Sequence, residues 1–83
     1  MALLLFFGKL ADMAGARKRE WPLEGETCSV RDLVGAIAQE EPDFAAALSG
    51  SSIRYVVNET MAGIDSAVSD EDEIAFLPSV SGG

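Results

Sequence analysis

The fold class of this chain is decided by one stretch, which has the sequence SVRDLVGAIAQE over residues 29–40. Ser29 is a favourable helix N-cap, and Asp32 three residues later completes a short capping box. Pro42 predicts the end of this helix. The apolar residues recur at helical spacing and form one stripe, so we expect one face of the helix to pack on a flat partner. That stripe consists of Val30, Leu33, Val34, Ile37 and Ala38.

The segments on either side of this helix predict the strands of that flat partner. Each is short, and most are rich in branched or aromatic side chains, which favours strands over helices. The basic segment 17–23 predicts an exposed edge strand, because Pro22 is tolerated only near an edge. The order strand, strand, helix, strand, strand indicates an α+β fold with a mixed sheet grasping one helix. The four predicted strands are 2–7, 17–23, 53–58 and 74–78, and short helical segments are expected at 9–16 and 43–48.

The connections are expected to be turns. Residues 24–26 predict a turn, as do Gly63 and Asp65, and the run 69–73 predicts an acidic, solvated connection. The 83 residues suffice for one domain, and 48% hydrophobic content is enough for a core. We assign residues 1–78 to that domain and residues 79–83 to a flexible C-terminal tail.

The charge of the chain restricts its partners. Six basic and 14 acidic residues give a net charge of −8, which disfavours binding to nucleic acid or to an anionic membrane. The apolar run 2–7 is too short to span a bilayer and lacks the flanks of a signal peptide. A protein partner with a basic face fits this charge, although the charge could equally serve only solubility. With one cysteine and no signal peptide, we expect a cytoplasmic protein.

Most catalytic chemistry is disfavoured by the composition. The chain has no histidine and one cysteine, so it offers neither a histidine-based triad nor a set of zinc ligands, and we predict no metal site. Cys28 precedes a helix N-terminus, which would lower the pKa of its thiol, but a half-buried structural role is the favoured interpretation. The carboxylates of residues 70–73 lack the spacing of a calcium loop, so a solvated turn is favoured over a cation site.

The C-terminus carries the one group with an evident chemical use. Gly82 and Gly83 have no Cβ, so this end of the chain fits a channel too narrow for side chains. The residues beyond Leu77 reach roughly 20 Å when extended. If an enzyme couples the Gly83 carboxylate to AMP, the resulting anhydride is open to attack by sulfur or nitrogen. The chain then needs no catalytic residues of its own.

The alternation of side chains along the first and last predicted strands, 2–7 and 74–78, indicates a docking surface on one face of the sheet. If Leu4 and Phe6 face the helix, their neighbours point to the far side of the sheet. Ile74 and Phe76 likewise leave apolar neighbours on that far side. Such a surface suggests a partner, unless loops cover it. The outward residues are Leu3, Leu5, Phe7, Ala75 and Leu77.

Three segments resemble the small subunits of molybdopterin synthase. They are LLFFG at residues 4–8, VNET at 57–60 and DEDEIAFLPSVSGG at 70–83. The resemblance runs along the whole chain and is most specific in the acidic turn, the strand, the proline and the two terminal glycines.

The resemblance implies a ubiquitin-like β-grasp fold and a sulfur-carrier role. An adenylating activating enzyme would use ATP to form an acyl-AMP at Gly83, and a sulfurtransferase would supply the sulfur of the resulting thiocarboxylate. The tail residues Val80, Ser81, Gly82 and Gly83 would enter the large subunit, which holds the active site, and donate sulfur to cyclic pyranopterin monophosphate. Two small and two large subunits would form a heterotetramer. Partner contacts are implied at Phe7, Met61 and Leu77, with no permanently bound cofactor.

Other functions remain open from the sequence. A carrier for thiamine sulfur transfer, tRNA thiolation or protein conjugation would share the fold and the terminal glycines. A β-grasp interaction module without carrier chemistry would not need Gly83 at all.

Overall fold

A five-stranded mixed sheet forms the centre of the protein, as a computed structural model describes it for residues 1–23, 27–50 and 52–78. The strand order is β2-β1-β7-β4-β5, with β1 and β7 parallel and the other neighbours antiparallel. The strands of this sheet are β1 (Ala2–Phe6), β2 (Lys18–Trp21), β4 (Arg54–Val57), β5 (Thr60–Ala62) and β7 (Glu73–Leu77).

The remaining elements cover one face of the sheet or join its strands. A separate two-stranded antiparallel sheet pairs β3 (Thr27–Ser29) with β6 (Ala67–Ser69). The helices are α1 (Lys9–Ala14), α2 (Val30–Glu40) and α3 (Pro42–Leu48). The predicted α+β architecture with a mixed sheet and one main helix is therefore observed. The predicted turn at 24–26 lies outside the described residues.

Helix α2 forms as its sequence predicts. The Ser29 hydroxyl accepts a hydrogen bond from the Asp32 amide at 3.0 Å, and the Asp32 carboxylate accepts one from the Ser29 amide at 3.3 Å. This reciprocal capping box satisfies donors that the first helical turn leaves free. Four of the five stripe residues are buried, and Ala38 packs against the core from a half-buried position.

The core lies between α2 and the inner face of the sheet. Phe6 stacks on Phe76 with 5.5 Å between ring centroids, and Phe44 meets the edge of Phe6 at 5.1 Å. The buried Tyr55 hydroxyl donates to the Leu48 carbonyl at 2.8 Å, so no polar cost is left at that position. These contacts join β1, β7 and β4 to α3.

Three local expectations need correction. The edge strand β2 is not wholly exposed, because Trp21 is buried in the core at 8% exposure. Pro42 follows the end of α2, as predicted, but it is also the first residue of a second helix, α3. The chain between Asn58 and Glu73 contains β5 and β6, which the sequence did not predict. Their three-residue length gives too short a pattern to recognise.

Candidate functional site

The sheet face opposite α2 carries a continuous apolar surface. The pairing registers place Leu5 beside Ala75, Ala75 beside Val56, and Val56 beside Met61. Leu77 pairs with Arg54, and the Phe7 amide donates to the Phe76 carbonyl at 3.3 Å. We call this surface the outer sheet face; it comprises Leu3, Leu5, Phe7, Arg54, Val56, Met61, Ala75 and Leu77.

Two large side chains on the outer sheet face are strongly exposed. Phe7 is 46% exposed and Met61 is 62% exposed, whereas Leu3, Leu5 and Leu77 are half-buried. The predicted outward direction of Leu3, Leu5, Phe7, Ala75 and Leu77 is observed. An exposed aromatic ring and an exposed methionine on the same apolar sheet face are typical of a protein contact.

The three residues that the resemblance implied as partner contacts share this face. Phe7 and Leu77 lie at the end of the sheet where β7 finishes, and Met61 lies on the outermost strand β5. Val56 and Arg54 complete the surface and were missed by the sequence reasoning. Their strand was predicted, but strand alternation alone does not tell which neighbour lies beside which residue.

Charged side chains border the apolar part of the outer sheet face. Lys18 pairs with Leu5 on the β2 side, and Arg54 lies beside Leu77. Glu20 pairs with Leu3, which in turn pairs with Glu73, so carboxylates lie at the opposite end. Arg54 pairs with Leu77, the last residue of β7, and its positive charge suits an acidic group on a partner.

The end of β7 is fixed by a close contact with Gly8. Gly8 has φ 59° and ψ −137°, a conformation that residues with a Cβ rarely adopt. A Cβ at Gly8 would lie 2.9 Å from Cγ of Pro78. Pro78 thus packs directly on the chain between Phe7 and α1, and this contact fixes the position of Pro78 after the end of β7. The predicted tail residues Val80, Ser81, Gly82 and Gly83 lie outside the described residues.

A hydrogen-bonded cluster holds the start of β7 to the β4–β5 turn. Asn58 donates from Nδ2 to Asp72 Oδ1 at 2.8 Å and accepts from the Glu73 amide at 2.9 Å. The other Asp72 oxygen accepts from the Ser69 amide at 2.8 Å. The hydrogen bonds from Asn58 and Ser69 lower the pKa of Asp72 below its usual value of 3.8.

The acidic run is an exposed turn, as predicted, but two of its carboxylates also accept hydrogen bonds. Asp70 also has partners, because its carboxylate accepts from the Met1 ammonium at 2.9 Å and from the Leu23 amide at 3.4 Å. Those bonds lower the pKa of Asp70. Glu71 remains exposed. Among the described residues, no group of three or more carboxylates, cysteines or histidines is placed to hold a metal ion.

Cys28 does not have the activated thiol that its position before a helix would give. It lies in β3, half-buried against the core. Burial and, secondarily, the nearby Asp32 carboxylate raise the pKa of the Cys28 thiol. The expectation of a lowered pKa is therefore wrong, and the structural role is favoured. In the part of the chain that the structure describes, no helix is long and apolar enough to cross a membrane.

Comparison with known proteins gives full-length matches. The model of the ThiS family matches residues 4–83. Two proteins named molybdopterin synthase sulfur carrier subunit, from Haemophilus influenzae and Escherichia coli, are each 31% identical to this chain. Both alignments cover 83 residues and 100% of each protein.

A solved structure agrees with this relationship. SAMP1 from Haloferax volcanii is 27% identical, with a TM-score of 0.80 over 99% of this chain and 98% of that chain. The likeness confirms the ubiquitin-like β-grasp fold that the sequence resemblance implied.

Proposed function

Because this chain belongs to the ThiS family, we propose that it is the sulfur carrier subunit of a molybdopterin synthase. Its likeness to two such subunits over the full length of both chains is the observation that carries this proposal. The sulfur would travel as a thiocarboxylate on Gly83 and be donated to cyclic pyranopterin monophosphate in molybdenum cofactor biosynthesis.

The chemistry at Gly83 needs two steps on separate enzymes. An activating enzyme lets the Gly83 carboxylate attack the α-phosphate of ATP, which forms an acyl-AMP and releases pyrophosphate. The terminal sulfur of a sulfurtransferase persulfide then displaces AMP to form an acyl disulfide, and attack of a thiol on the other sulfur of that disulfide releases the thiocarboxylate and leaves a disulfide behind. The activated carbonyl is a good electrophile because AMP is a stable leaving group. ATP is thus a substrate of the activating enzyme, and no cofactor stays on the carrier.

The outer sheet face supports a docking role beside this chemistry. Phe7 and Leu77 lie at the end of the sheet from which the C-terminal segment continues, and Met61 extends the apolar surface to the edge strand. We infer that the large subunit binds this face while the segment 79–83 enters its active site. Two carriers and two large subunits would then form the heterotetramer, working in the cytoplasm.

A second candidate function is attachment to other proteins. SAMP1 is named a small archaeal modifier protein in a second structure from the same organism, which is 25% identical to this chain. The same acyl-AMP at Gly83 would then be attacked by an amine instead of sulfur, and an amide bond would form with loss of AMP. Carriers for thiamine or tRNA thiolation differ from the first proposal only in the acceptor.

The proposal is tested by the intact mass of the protein after incubation with ATP, a molybdopterin synthase activating enzyme and a sulfurtransferase with its sulfur source. We expect a mass change equal to replacement of one oxygen by sulfur. Adding the large subunit and cyclic pyranopterin monophosphate should return the original mass and produce molybdopterin.

Two variants control this experiment. Deletion of Gly83 and addition of one residue after Gly83 should both abolish the mass change while leaving the circular dichroism spectrum unaltered. Sulfur transfer by the extended protein, with its added residue still present by mass, would refute the carrier mechanism. Sulfur loading without molybdopterin formation would favour another acceptor.

A further inference from the structure

Strand β2 lies at the edge of the sheet, and one row of its backbone groups has no partner among the residues that the structure describes. β2 is the terminal strand of the five-stranded order and pairs with β1 alone among the described residues. The Phe6 amide donates to the Arg17 carbonyl at 2.9 Å, so alternate residues from Arg17 onward face β1. The amide and carbonyl groups of Lys18 and Glu20 therefore point away from the sheet. Such an edge is a template for another strand.

A groove of about 1040 Å³ runs along this edge, with α2 as its opposite wall. Its floor includes Trp21 and Leu33, which belong to the core, and its helical wall includes Gly35 and Ala36. Gly35 and Ala36 are exposed. The groove thus joins a row of free backbone groups to an apolar floor, the two features that recognise an extended peptide.

Glycine at position 35 destabilises helix α2, and no contact within the described chain requires it there. A glycine in the interior of a helix is unfavourable by close to 1 kcal/mol relative to alanine. A Cβ at Gly35 would meet no atom of the described chain within 4 Å, and its φ is not positive. Neither internal packing nor backbone conformation requires glycine here. Because Gly35 has no side chain, the groove stays open on the side that α2 forms.

The charges that line the groove select the occupant. Asp32 and Glu40 contribute carboxylates, whereas the Glu20 side chain belongs to the outer sheet face and lines the groove only at its edge. Among the described residues that line the groove, the cation is Arg19, which is paired with Glu41 at 2.8 Å and lies over the Trp21 ring at 5.6 Å. The groove is therefore net negative. A second copy of this chain, with its net charge of −8, is disfavoured there, whereas a basic segment is attracted.

We propose that the β2–α2 groove binds an extended peptide segment of a partner protein, in which apolar residues alternate with lysine or arginine, by adding it as a strand to β2. The peptide backbone pairs with Lys18 and Glu20, and its apolar side chains cover Trp21 and the surface beside Gly35. This site lies on the helix side of the sheet edge, so it leaves the outer sheet face free. The inference does not depend on the carrier chemistry at Gly83.

The test is titration of the isotope-labelled full chain with a synthetic capped peptide of alternating valine and lysine, followed by NMR and by Trp21 fluorescence. We expect shifts confined to β2 and to the exposed side of α2. A matched peptide with glutamate in place of lysine should bind at least tenfold more weakly. Shifts centred on Phe7 and Met61, or no binding at millimolar peptide, would overturn the proposal.

Two substitutions of Glu20 distinguish the contribution of backbone hydrogen bonds to peptide binding from the contribution of the side-chain charge. Glu20→Pro removes the outward amide but no amide that faces β1, and it should weaken peptide binding about tenfold because backbone bonds and access are both lost. Glu20→Ala retains the amide and should change binding by less than about threefold. Equal effects of the two substitutions would exclude strand addition.

Gly35 provides an independent check that does not require loss of stability. Gly35→Gln should weaken peptide binding at least fivefold, while raising the folding equilibrium constant up to about fivefold through helix propensity. Ala46→Gln, at an exposed position of α3, is the control and should leave binding unchanged. Unimpaired binding by Gly35→Gln, or a concentration-dependent dimer of the free protein that excludes the peptide, would contradict the proposal.

Discussion

At the scale of single residues, Asn58 shows how one side chain joins distant parts of the chain. Its φ of 49° lies in the left-handed region, and Glu59 follows with φ 68°. Asparagine tolerates this conformation better than most residues, and the tight turn it forms lets β5 return along β4. The same side chain binds both Asp72 and the Glu73 amide. The turn that places Met61 is thereby fastened to the start of β7.

We predict that Asn58→Ala lowers the free energy of unfolding by about 2 kcal/mol, since two side-chain hydrogen bonds and the tolerance for positive φ are lost together. Asn58→Gly keeps the backbone conformation and should cost less. Urea denaturation of both variants measures the two contributions. If alanine costs no more than glycine, positive φ contributes nothing at this position.

The pKa of Asp72 predicts a loss of stability in acid. Its pKa is lowered in the folded protein, chiefly by the Asn58 hydrogen bond, so its contribution is present above the unfolded pKa and is lost as pH falls through the folded pKa. The carboxylate is close to solvent, which keeps the contribution small. Asp72→Asn should therefore reduce the drop in unfolding free energy between neutral pH and about pH 3, measured by urea denaturation.

Glu71→Gln removes the same formal charge from the adjacent position and serves as the control. Its pH profile should follow that of the unmodified protein. An Asp72→Asn profile that also follows the unmodified protein would show that the cluster does not contribute to acid sensitivity.

At the scale of elements, the junction of β1 and α1 determines where β7 ends. Gly8 terminates the strand, begins the helix and accommodates the Pro78 ring, and these roles require both its positive φ and its missing Cβ. The capping box at Ser29 has a comparable function for α2, but it is local, because its two residues are adjacent on one helical turn. The Gly8–Pro78 contact instead joins residues from opposite ends of the domain.

We predict that Gly8→Ala lowers the free energy of unfolding by about 2–3 kcal/mol, because it adds both backbone strain and a clash with Pro78. Gly15→Ala is the matched control: Gly15 also has positive φ, at 75°, but a Cβ there would meet no atom within 4 Å. Its cost should be limited to about 1 kcal/mol. Thermal unfolding of both variants isolates the Pro78 contact, and equal losses would show that it is unimportant.

At the scale of the whole molecule, the two faces of the sheet differ in burial. The inner face buries Leu4, Phe6, Ile74 and Phe76 under α2 and α3, whereas the outer sheet face keeps an apolar surface near solvent. A domain of this size cannot cover both faces with its own helices. The uncovered face lies beside the end of β7, which suits a carrier that docks and presents its C-terminal segment together.

We predict that Phe7→Asp weakens binding to the large subunit at least tenfold, because it places a charge in the apolar contact, while changing the unfolding free energy by less than about 1 kcal/mol. Met13→Asp is the control, since Met13 is 50% exposed, close to the 46% of Phe7, but belongs to α1. Calorimetric titration with the purified large subunit measures both. Similar binding by the two variants would place the interface elsewhere.

The sequence-based predictions were accurate where a feature depends on residues close together in the sequence, and they failed where it depends on contacts between distant residues. The α2 stripe, the inward and outward alternation of β1 and β7, and the edge position of β2 were all predictable, because each depends on neighbours a few residues apart. The short strands β5 and β6 were missed, and so were the partners of Asp70 and Asp72. In the sequence these residues are only part of an acidic run, because their hydrogen-bond partners Met1 and Asn58 are distant along the chain and meet them only in the folded protein.

The amino-acid sequence by itself determined the fold class, the apolar surface beside the last strand and the resemblance that implied a sulfur carrier, since all three depend on residue type and spacing. The tertiary structure alone decided that Leu5, Ala75, Val56 and Met61 form one row, that Pro78 rests on Gly8, and that β2 and Gly35 line the same groove. Strand order and register are set by the burial of the whole core at once. No local pattern in the sequence contains that information.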